Sequence, residues 1–374
     1  MTLRKIAING AYIQEQASGL GVVTNNLIDQ LIDADRGLDV CLYSYSDSFK
    51  NQYPNNVIPI TNTISPDLGF SGHIKRLLWY QTSLNWQLKR SKIDLFFSPA
   101  TEGMLFPSVP QIITVHDLIP LKYPEVSPKW KYYYLYVLPL ILKQSQKIIA
   151  ISEHTKKDLI ETYKLDPKLI KVVYNGFDRN LFFPQPNPEI LKKYNLDKYL
   201  LHVGDMRFYK NLDRCLKAFD SLPFKNYQFV ITGKKDDFFY PKIKNLTDQL
   251  SAKERIIFLD YVPTADLPSL YSMAQCLVLA SLYEGFGLTV LEAMACGCPV
   301  IASDSTSIPE VGGDSVFYIN PYDTENIARG MYQVLSDLNL RNNLINLGKS
   351  RAKLFSWKNT AKGIESVIMG CGVP

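Results

Sequence analysis

Short apolar, β-branched runs alternate with segments whose apolar positions recur at helical spacing along most of this chain. Residues 4–8 (RKIAI) predict a strand, followed by a glycine-containing loop and a helix from about 22 to 33. Residues 38–45, 93–98, 111–117 and 147–152 predict further strands. Helical patterns cover 73–90, about 129–145 and 153–163. Strands separated by helices mean βαβ units and a parallel sheet. The period then breaks: residues 175–189 carry four Gly or Pro and predict a linker. Alternation resumes beyond it. Strands are expected at 198–204, 227–233, 254–262, 275–281 and 299–303, with helices at 211–220, 240–250, 265–274 and 288–297. One long helical stretch follows, from about 323 to 369. The pattern predicts two doubly wound α/β domains in tandem, with ligands outside the carboxyl ends of the strands.

Composition narrows the class. With 374 residues, 46% of them hydrophobic and 21% charged, the chain has room for two buried cores and is neither a disordered tract nor a coiled coil. A net charge of +5 is too mild for a nucleic-acid binder and suits anionic small molecules or an acidic membrane surface. Six cysteines form no CxxC pair, and Cys296 and Cys298, flanking one Gly, have no further ligands for a zinc site. Reduced, buried thiols in a cytosolic protein are expected. The first residues lack the apolar region of a signal peptide. The most apolar stretch, 132–142, is too short to span a bilayer and is interrupted by Pro139.

The sharpest chemistry lies in the second half. A strand is expected to end near Ser281, and Gly285-Phe286-Gly287 opens a helix near Leu288. Bare amides at a helix N-terminus behind glycines suit phosphate. Glu284 precedes the loop and Glu292 follows on the helix, eight residues later. Carboxylates accept from sugar hydroxyls, although taken alone both would equally be helix N-terminal carboxylates favoured by the dipole. Arg207 and Lys210 occupy a strand-to-helix loop, where cations would neutralise a diphosphate, and Asn211 is placed to cap the following helix. In the first half, Gly19 and Gly21 would let a loop approach a ligand, though Thr24 replaces the third glycine of a dinucleotide fingerprint. His116 ends a strand. Asp33-Ala34-Asp35 has a metal-binding pattern but falls at a helix end remote from the strand carboxyl ends, and Asp236-Asp237 is expected at the surface.

Glu284-Gly-Phe-Gly-Leu-Thr-Val-Leu-Glu292 matches the E-x7-E signature of the retaining family 4 glycosyltransferases. Ser18-Gly-Leu-Gly21, Thr114-Val-His-Asp-Leu118, Ile151-Ser-Glu-His-Thr155, Tyr174-Asn-Gly-Phe-Asp178, Lys210-Asn211 and Ala295-Cys-Gly-Cys-Pro-Val300 extend the match in order. Nearly the whole chain resembles bacterial members that build surface or exopolysaccharide units. The resemblance implies a GT-B fold: two Rossmann-like domains facing each other across a cleft. The acceptor-side domain would cover 1–180, the nucleotide-sugar domain 181–354, and a terminal helix at 355–374 would cross back to the first domain.

By the same resemblance, His116 would lie by the donor sugar and Arg207 and Lys210 would hold its diphosphate. Glu284 would bind sugar hydroxyls and Glu292 the ribose. Phe286, Gly287, Leu288 and Thr289 would meet the donor, Tyr261 and Val262 would frame the base, and Gly19 and Gly21 would approach phosphate or acceptor. The chain departs from the family at Asp205, Tyr209 and Asp260, which touches the roles of Arg207 and the base contacts. The implied reaction is retaining, metal-independent hexosyl transfer to a saccharide or lipid-linked saccharide acceptor. UDP-glucose is the first donor expected and GDP-mannose the alternative. A sugar-nucleotide epimerase, a dehydrogenase and a degenerate sugar-nucleotide-binding protein are rivals; the first lacks the E-x7-E context and the second the glycine fingerprint. A cytoplasmic location is expected. Contact with the inner face of the plasma membrane is a separate expectation, since Lys75, Arg76, Lys89 and Arg90 bracket Leu77, Leu78, Trp79 and Trp86 on one helix.

Overall fold

Ile, Val and Leu dominate the apolar runs, and in the computed structural model they become the strands of two parallel sheets. The structure describes residues 4–13, 19–32, 37–259 and 261–372. Among these, the first sheet has seven strands: β1 (Arg4–Asn9), β2 (Leu38–Ser44), β3 (Val57–Pro59), β4 (Leu95–Ser98), β5 (Gln111–Val115), β6 (Lys147–Ala150) and β7 (Ile170–Val172). Their spatial order is β3-β2-β1-β4-β5-β6-β7. The second sheet has six: β8 (Tyr199–Val203), β9 (Gln228–Thr232), β10 (Ile256–Leu259), β11 (Cys276–Leu279), β12 (Val300–Ser303) and β13 (Val316–Ile319), in the order β10-β9-β8-β11-β12-β13. Both orders reverse direction beside the first strand of the unit, the topological switch point of a doubly wound fold.

Alternation along each strand sorts its side chains to two covered faces. Ile6 and Ile8 pack with Leu27, Ile28, Ile364 and Ile368, whereas Ala7 between them packs with Tyr80 and Leu84. The chain divides after Gly176 and after Ser356, against expected boundaries at 180 and 354. The helix Trp357–Met369 belongs to the first unit: Thr360 Oγ1 donates to Tyr174 O at 2.8 Å, and Arg4 Nη1 donates to the carbonyls of Ile368 and of Cys371, the latter at 2.8 Å.

The expected helix from 323 to 369 is three helices, Thr324–Ser336, Leu338–Ala352 and Trp357–Met369. Asp337 causes the first break: its carboxylate accepts from Asn339 N at 2.9 Å and Leu340 N at 3.0 Å, starting a new helix. The three-residue strands β3 and β7, the strand β13 and the helices Asp47–Gln52, Pro188–Tyr194 and Ile308–Gly312 were outside the sequence expectation. All six cysteines are free thiols.

Two helices lie side by side on one face of the first sheet. One runs from Gly69 to Arg90 through a wide π turn at Tyr80–Leu84. The other runs from Pro128 to Lys143 through a π turn at Tyr133–Val137. Pro139 explains the second turn: it has no N–H to donate and its ring would clash with the carbonyl four residues back, so the preceding turn widens. His73 touches Trp130 and Tyr133 across the two helices, with ring centroids 4.1 and 4.7 Å apart. Arg76, expected as a surface cation of the first helix, is instead only 1% exposed. Its Nε and Nη2 donate to Glu102 at 2.9 and 3.1 Å, its Nη1 to Ile64 O, and its Nη2 to Tyr12 Oη. Glu102 also takes His73 Nδ1 at 2.6 Å and the Tyr80 hydroxyl at 3.1 Å. Leu77 and Trp79 also turn inward, against the cluster around Tyr80 and Phe96.

Candidate donor site

The switch point of the second sheet lies between β8 and β11, and the loops leaving these two strands carry the predicted chemistry. The β8 loop runs through Gly204 to a tight turn at Phe208–Lys210. Gly204 must pass close to Gly233 at the end of β9: a Cβ on Gly233 would stand 1.9 Å from Gly204 O, so only glycine fits. Asn211 closes the loop in the left-handed conformation, with φ +60°. Its side chain does not cap the next helix as expected. Its amide nitrogen bridges instead to Ala280 O at 2.9 Å and Pro321 O at 2.7 Å. Leu282 N donates to Tyr209 O at 2.7 Å, so the two switch-point loops are joined by backbone as well.

This scaffold brings Lys210 and Glu284 into contact. Lys210 Nζ donates to Glu284 Oε1 at 2.7 Å, and Ser281 Oγ donates to the same oxygen at 2.7 Å. The two side chains are 13% and 12% exposed, so the pair is largely removed from water but open at one edge. Burial alone would lower the Lys210 pKa, but the neighbouring Glu284 carboxylate raises it well above the usual lysine value and keeps the ammonium charged. The Glu284 backbone is pinned by Thr306 Oγ1, which accepts from its N–H at 3.2 Å, and by Ser307 Oγ, which donates to its carbonyl at 2.9 Å. Ser303 Oγ donates to Ser281 O at 2.6 Å. No sequence motif marks these hydroxyls beyond the polar run 303–307 directly after a strand.

Gly287 occupies the N-cap position of the helix Leu288–Ala295 with φ +104°. No side chain caps this helix, and a Cβ on Gly287 would meet Ile308 Cδ1 at 2.8 Å. Phe286 is buried edge-on to Phe355, while Leu288 and Thr289 are half-buried at the helix start. The first amides of the helix therefore present the positive end of its dipole without a built-in anion. Glu292, one turn further on, accepts from the Tyr271 hydroxyl at 3.0 Å.

Other predicted residues fall elsewhere. Arg207 pairs with Asp205 at 3.1 Å and approaches Asp236 at 3.9 Å, so its charge is matched locally rather than joined to Lys210. Asp236 is half-buried and accepts from Phe238 N and Phe239 N, while Asp237 is exposed. Tyr261 projects to solvent and Val262 is buried. Ser18, the Asp33–Asp35 pattern and Asp260 lie outside the described residues. In the first unit, Gly19 has φ +51°, but Gly21 lies inside the helix Leu20–Ile32 rather than in a ligand loop. The helix begins earlier than its apolar period. His116 follows β5, and its Nε2 donates to Pro99 O at 2.7 Å. Burial lowers its pKa against the raising effect of that bond, which leaves a neutral ring with the proton on Nε2. Among the described residues no cluster of His, Cys, Asp and Glu is suited to a metal.

Burial pushes Glu292 up to about 7, with the Tyr271 hydroxyl acting in the lowering direction. A folded pKa above the ordinary 4.5 means that its stabilising contribution is complete below 4.5 and is lost as pH rises through about 7. Glu292→Gln should therefore melt with the wild type at pH 5 and above it at pH 8, by thermal shift. A wild-type curve that stays level with the variant at pH 8 would refute the assignment.

Two doubly wound parallel sheets, with a cation–carboxylate pair and an uncapped helix N-terminus at one switch point, are the architecture of the GT-B fold. A model described as Glycosyltransferase Family 4 matches residues 17–181, and one for Glycosyl transferases group 1 matches residues 185–351. O-antigen chain mannosyltransferase B of Escherichia coli is 32% identical over 260 residues, 66% of this chain and 67% of that protein. O-antigen chain mannosyltransferase RfbU of Salmonella typhimurium is 29% identical over 294 residues, 78% and 79% of the two chains. Sucrose-phosphate synthase from Thermosynechococcus elongatus shares the fold, with a TM-score of 0.77 at 20% identity over 98% of each chain. The chain belongs to the family 4 glycosyltransferases.

Proposed function

We propose that this enzyme transfers mannose from GDP-mannose, with retention at the anomeric carbon, to a saccharide or lipid-linked saccharide in polysaccharide synthesis. The observation that carries the transfer reading is the Lys210–Glu284 pair at the switch point. A donor diphosphate arriving at the helix Leu288–Ala295 takes Lys210 as its counter-ion. Glu284 then loses its charge partner and accepts hydroxyls of the donor sugar instead. As the glycosidic bond to phosphate lengthens, charge grows on the leaving oxygen. Lys210 and the helix amides are already aimed there, so little reorganisation is needed. These fixed charges supply the role a divalent ion would otherwise take, and turnover without metal is part of the proposal. The leaving phosphate accepts the acceptor's proton on the same face, which gives retention. Glu292 receives the ribose hydroxyls.

The sugar assignment rests on the relatives named mannosyltransferases, which favour GDP-mannose over the UDP-glucose that the family resemblance put first. A donor panel in EDTA, reading release of GDP, UDP and dTDP, tests it. Slow GDP release from GDP-mannose is expected from the wild type, with a loss of at least about 10²-fold in Glu284→Ala. UDP release from UDP-glucose alone would overturn the sugar and keep the transfer. Failure to bind any nucleotide sugar would overturn the transfer itself.

A further inference from the structure

Glu284 belongs to no helix or strand, so no ladder of main-chain bonds fixes the carboxylate that pairs with Lys210. Both of its main-chain groups are held instead by hydroxyl side chains of the loop after β12. Its N–H donates to Thr306 Oγ1 at 3.2 Å, and its carbonyl accepts from Ser307 Oγ at 2.9 Å. The peptide units on either side of the Glu284 Cα are thus tied to one loop, and the carboxylate keeps only the rotations of its own side chain. That loop is anchored at both ends. Asp304 N donates to Ile319 O at 3.0 Å, and Val311 N donates to Ser307 O at 3.3 Å.

The strain of this arrangement falls on Thr306, whose φ is +60°. Among the described residues the other positive-φ positions outside glycine are Lys92, Lys164, Asn195 and Asn211. Lys164 and Asn195 end helices, where a left-handed residue is a common stop. None of these residues is β-branched, and a second heavy group on Cβ makes a positive φ a genuine outlier. Glycine would take the turn without strain but would bring no oxygen to the Glu284 N–H. Thr306 is only half-buried, so core packing does not account for it. Strained backbone of this kind persists where the surroundings over-determine it, and it clusters at ligand sites.

We propose that Thr306 is a positioning residue for recognition of the donor sugar: its left-handed turn holds the Glu284 main chain so that the carboxylate meets the sugar hydroxyls in one orientation. This rests on the reading of Glu284 as the partner of the donor sugar. The diphosphate is met by other groups, Lys210 and the first amides of the helix Leu288–Ala295. Loosening Thr306 therefore weakens the hold on the sugar and leaves the hold on the nucleotide intact.

Three variants of the full chain test this. Thr306→Val keeps the branched shape and removes the hydroxyl, Thr306→Gly removes both the hydroxyl and the strain, and Thr306→Ser keeps the hydroxyl. Turnover gives kcat/KM for GDP-mannose, and inhibition by GDP reports the nucleotide alone. Thr306→Val and Thr306→Gly should each lose about tenfold or more in kcat/KM, with the inhibition constant for GDP unchanged. Thr306→Ser should stay near the wild type. Thr306→Gly should melt no lower than the wild type, since relief of the backbone opposes loss of the bond, so the comparison survives a Thr306→Val chain that fails to fold. If the donor panel selects UDP-glucose, UDP-glucose and UDP take the place of the guanosine pair. Full kcat/KM in Thr306→Gly, an equal loss in Thr306→Ser, or a GDP constant that weakens in step with GDP-mannose would overturn the proposal. A wild-type chain that binds no nucleotide sugar would overturn the donor reading, and this proposal with it, before any variant is compared.

Discussion

A Lys210→Ala variant is expected to turn over its donor about 10²–10³-fold more slowly than the wild type, the usual cost of removing one preorganised donor to a developing charge. The loss should fall mainly on kcat, because the charge Lys210 meets grows as the diphosphate departs. The substitution also strands Glu284, which is 12% exposed and would retain Ser281 Oγ, a neutral donor, in place of the cation. Some loss of melting temperature is therefore expected from the single variant. The double variant Lys210→Ala with Glu284→Ala separates the two effects. It should recover the melting temperature, since no unpaired charge is left, and stay inactive. Recovery of turnover together with stability would show that Lys210 matters only as the partner of Glu284.

Glu102→Gln should be the most damaging single change to the first unit, at about 3–5 kcal/mol, the range for stranding one member of a buried ion pair. The Glu102 carboxylate is 1% exposed and serves Arg76, His73 and Tyr80 at once. Burial would raise its pKa, but Arg76 and then His73 overcome this and hold it at about 2. Because the folded value lies below the ordinary 4.5, its contribution is present above 4.5 and fades as pH falls through about 2. For a unit of this size, calorimetry should show a drop of roughly 2–4 °C per kcal/mol. Replacing Glu102 by Leu together with Arg76 by Met should regain much of the loss, since an apolar pair leaves no stranded charge. A Glu102→Gln protein that melts with the wild type at pH 7 would remove the network from any structural role.

These two clusters differ in how far the amino-acid string revealed them. Lys210 and Glu284 were each legible, because each follows an apolar run where a parallel sheet places its ligands. Their contact was not legible: 74 positions separate them, and only the adjacency of β8 and β11 closes that distance. Arg76 misled for the opposite reason. Its spacing beside Lys75 is that of a surface cation, and the carboxylate that buries it comes from a loop 26 residues away. Asn211 looked like a cap because caps are the commonest use of Asn before a helix, yet its left-handed backbone aims the amide at two carbonyls of other strands' loops. The end of the chain read as one helix since apolar residues continue through Leu335 and Leu338; Asp337 between them was the stop signal. The three-residue strands β3 and β7 are too short to show any period at all.

The helix Trp357–Met369 gives the chain an order of assembly. The face of the first sheet formed by Ile6, Ile8, Leu27 and Ile28 is completed by Ile364 and Ile368, which leave the ribosome only after the whole of the second unit. At common synthesis rates of about 5–20 residues per second, the earlier residues wait roughly 17–70 s for that cover. The other unit, contiguous from 177 to 356, can close on its own as soon as it emerges. The half that starts first therefore finishes second. Nascent chains stalled before residue 357 should leave that face sticky and in need of a chaperone, and a stop codon there would damage the half encoded furthest from it.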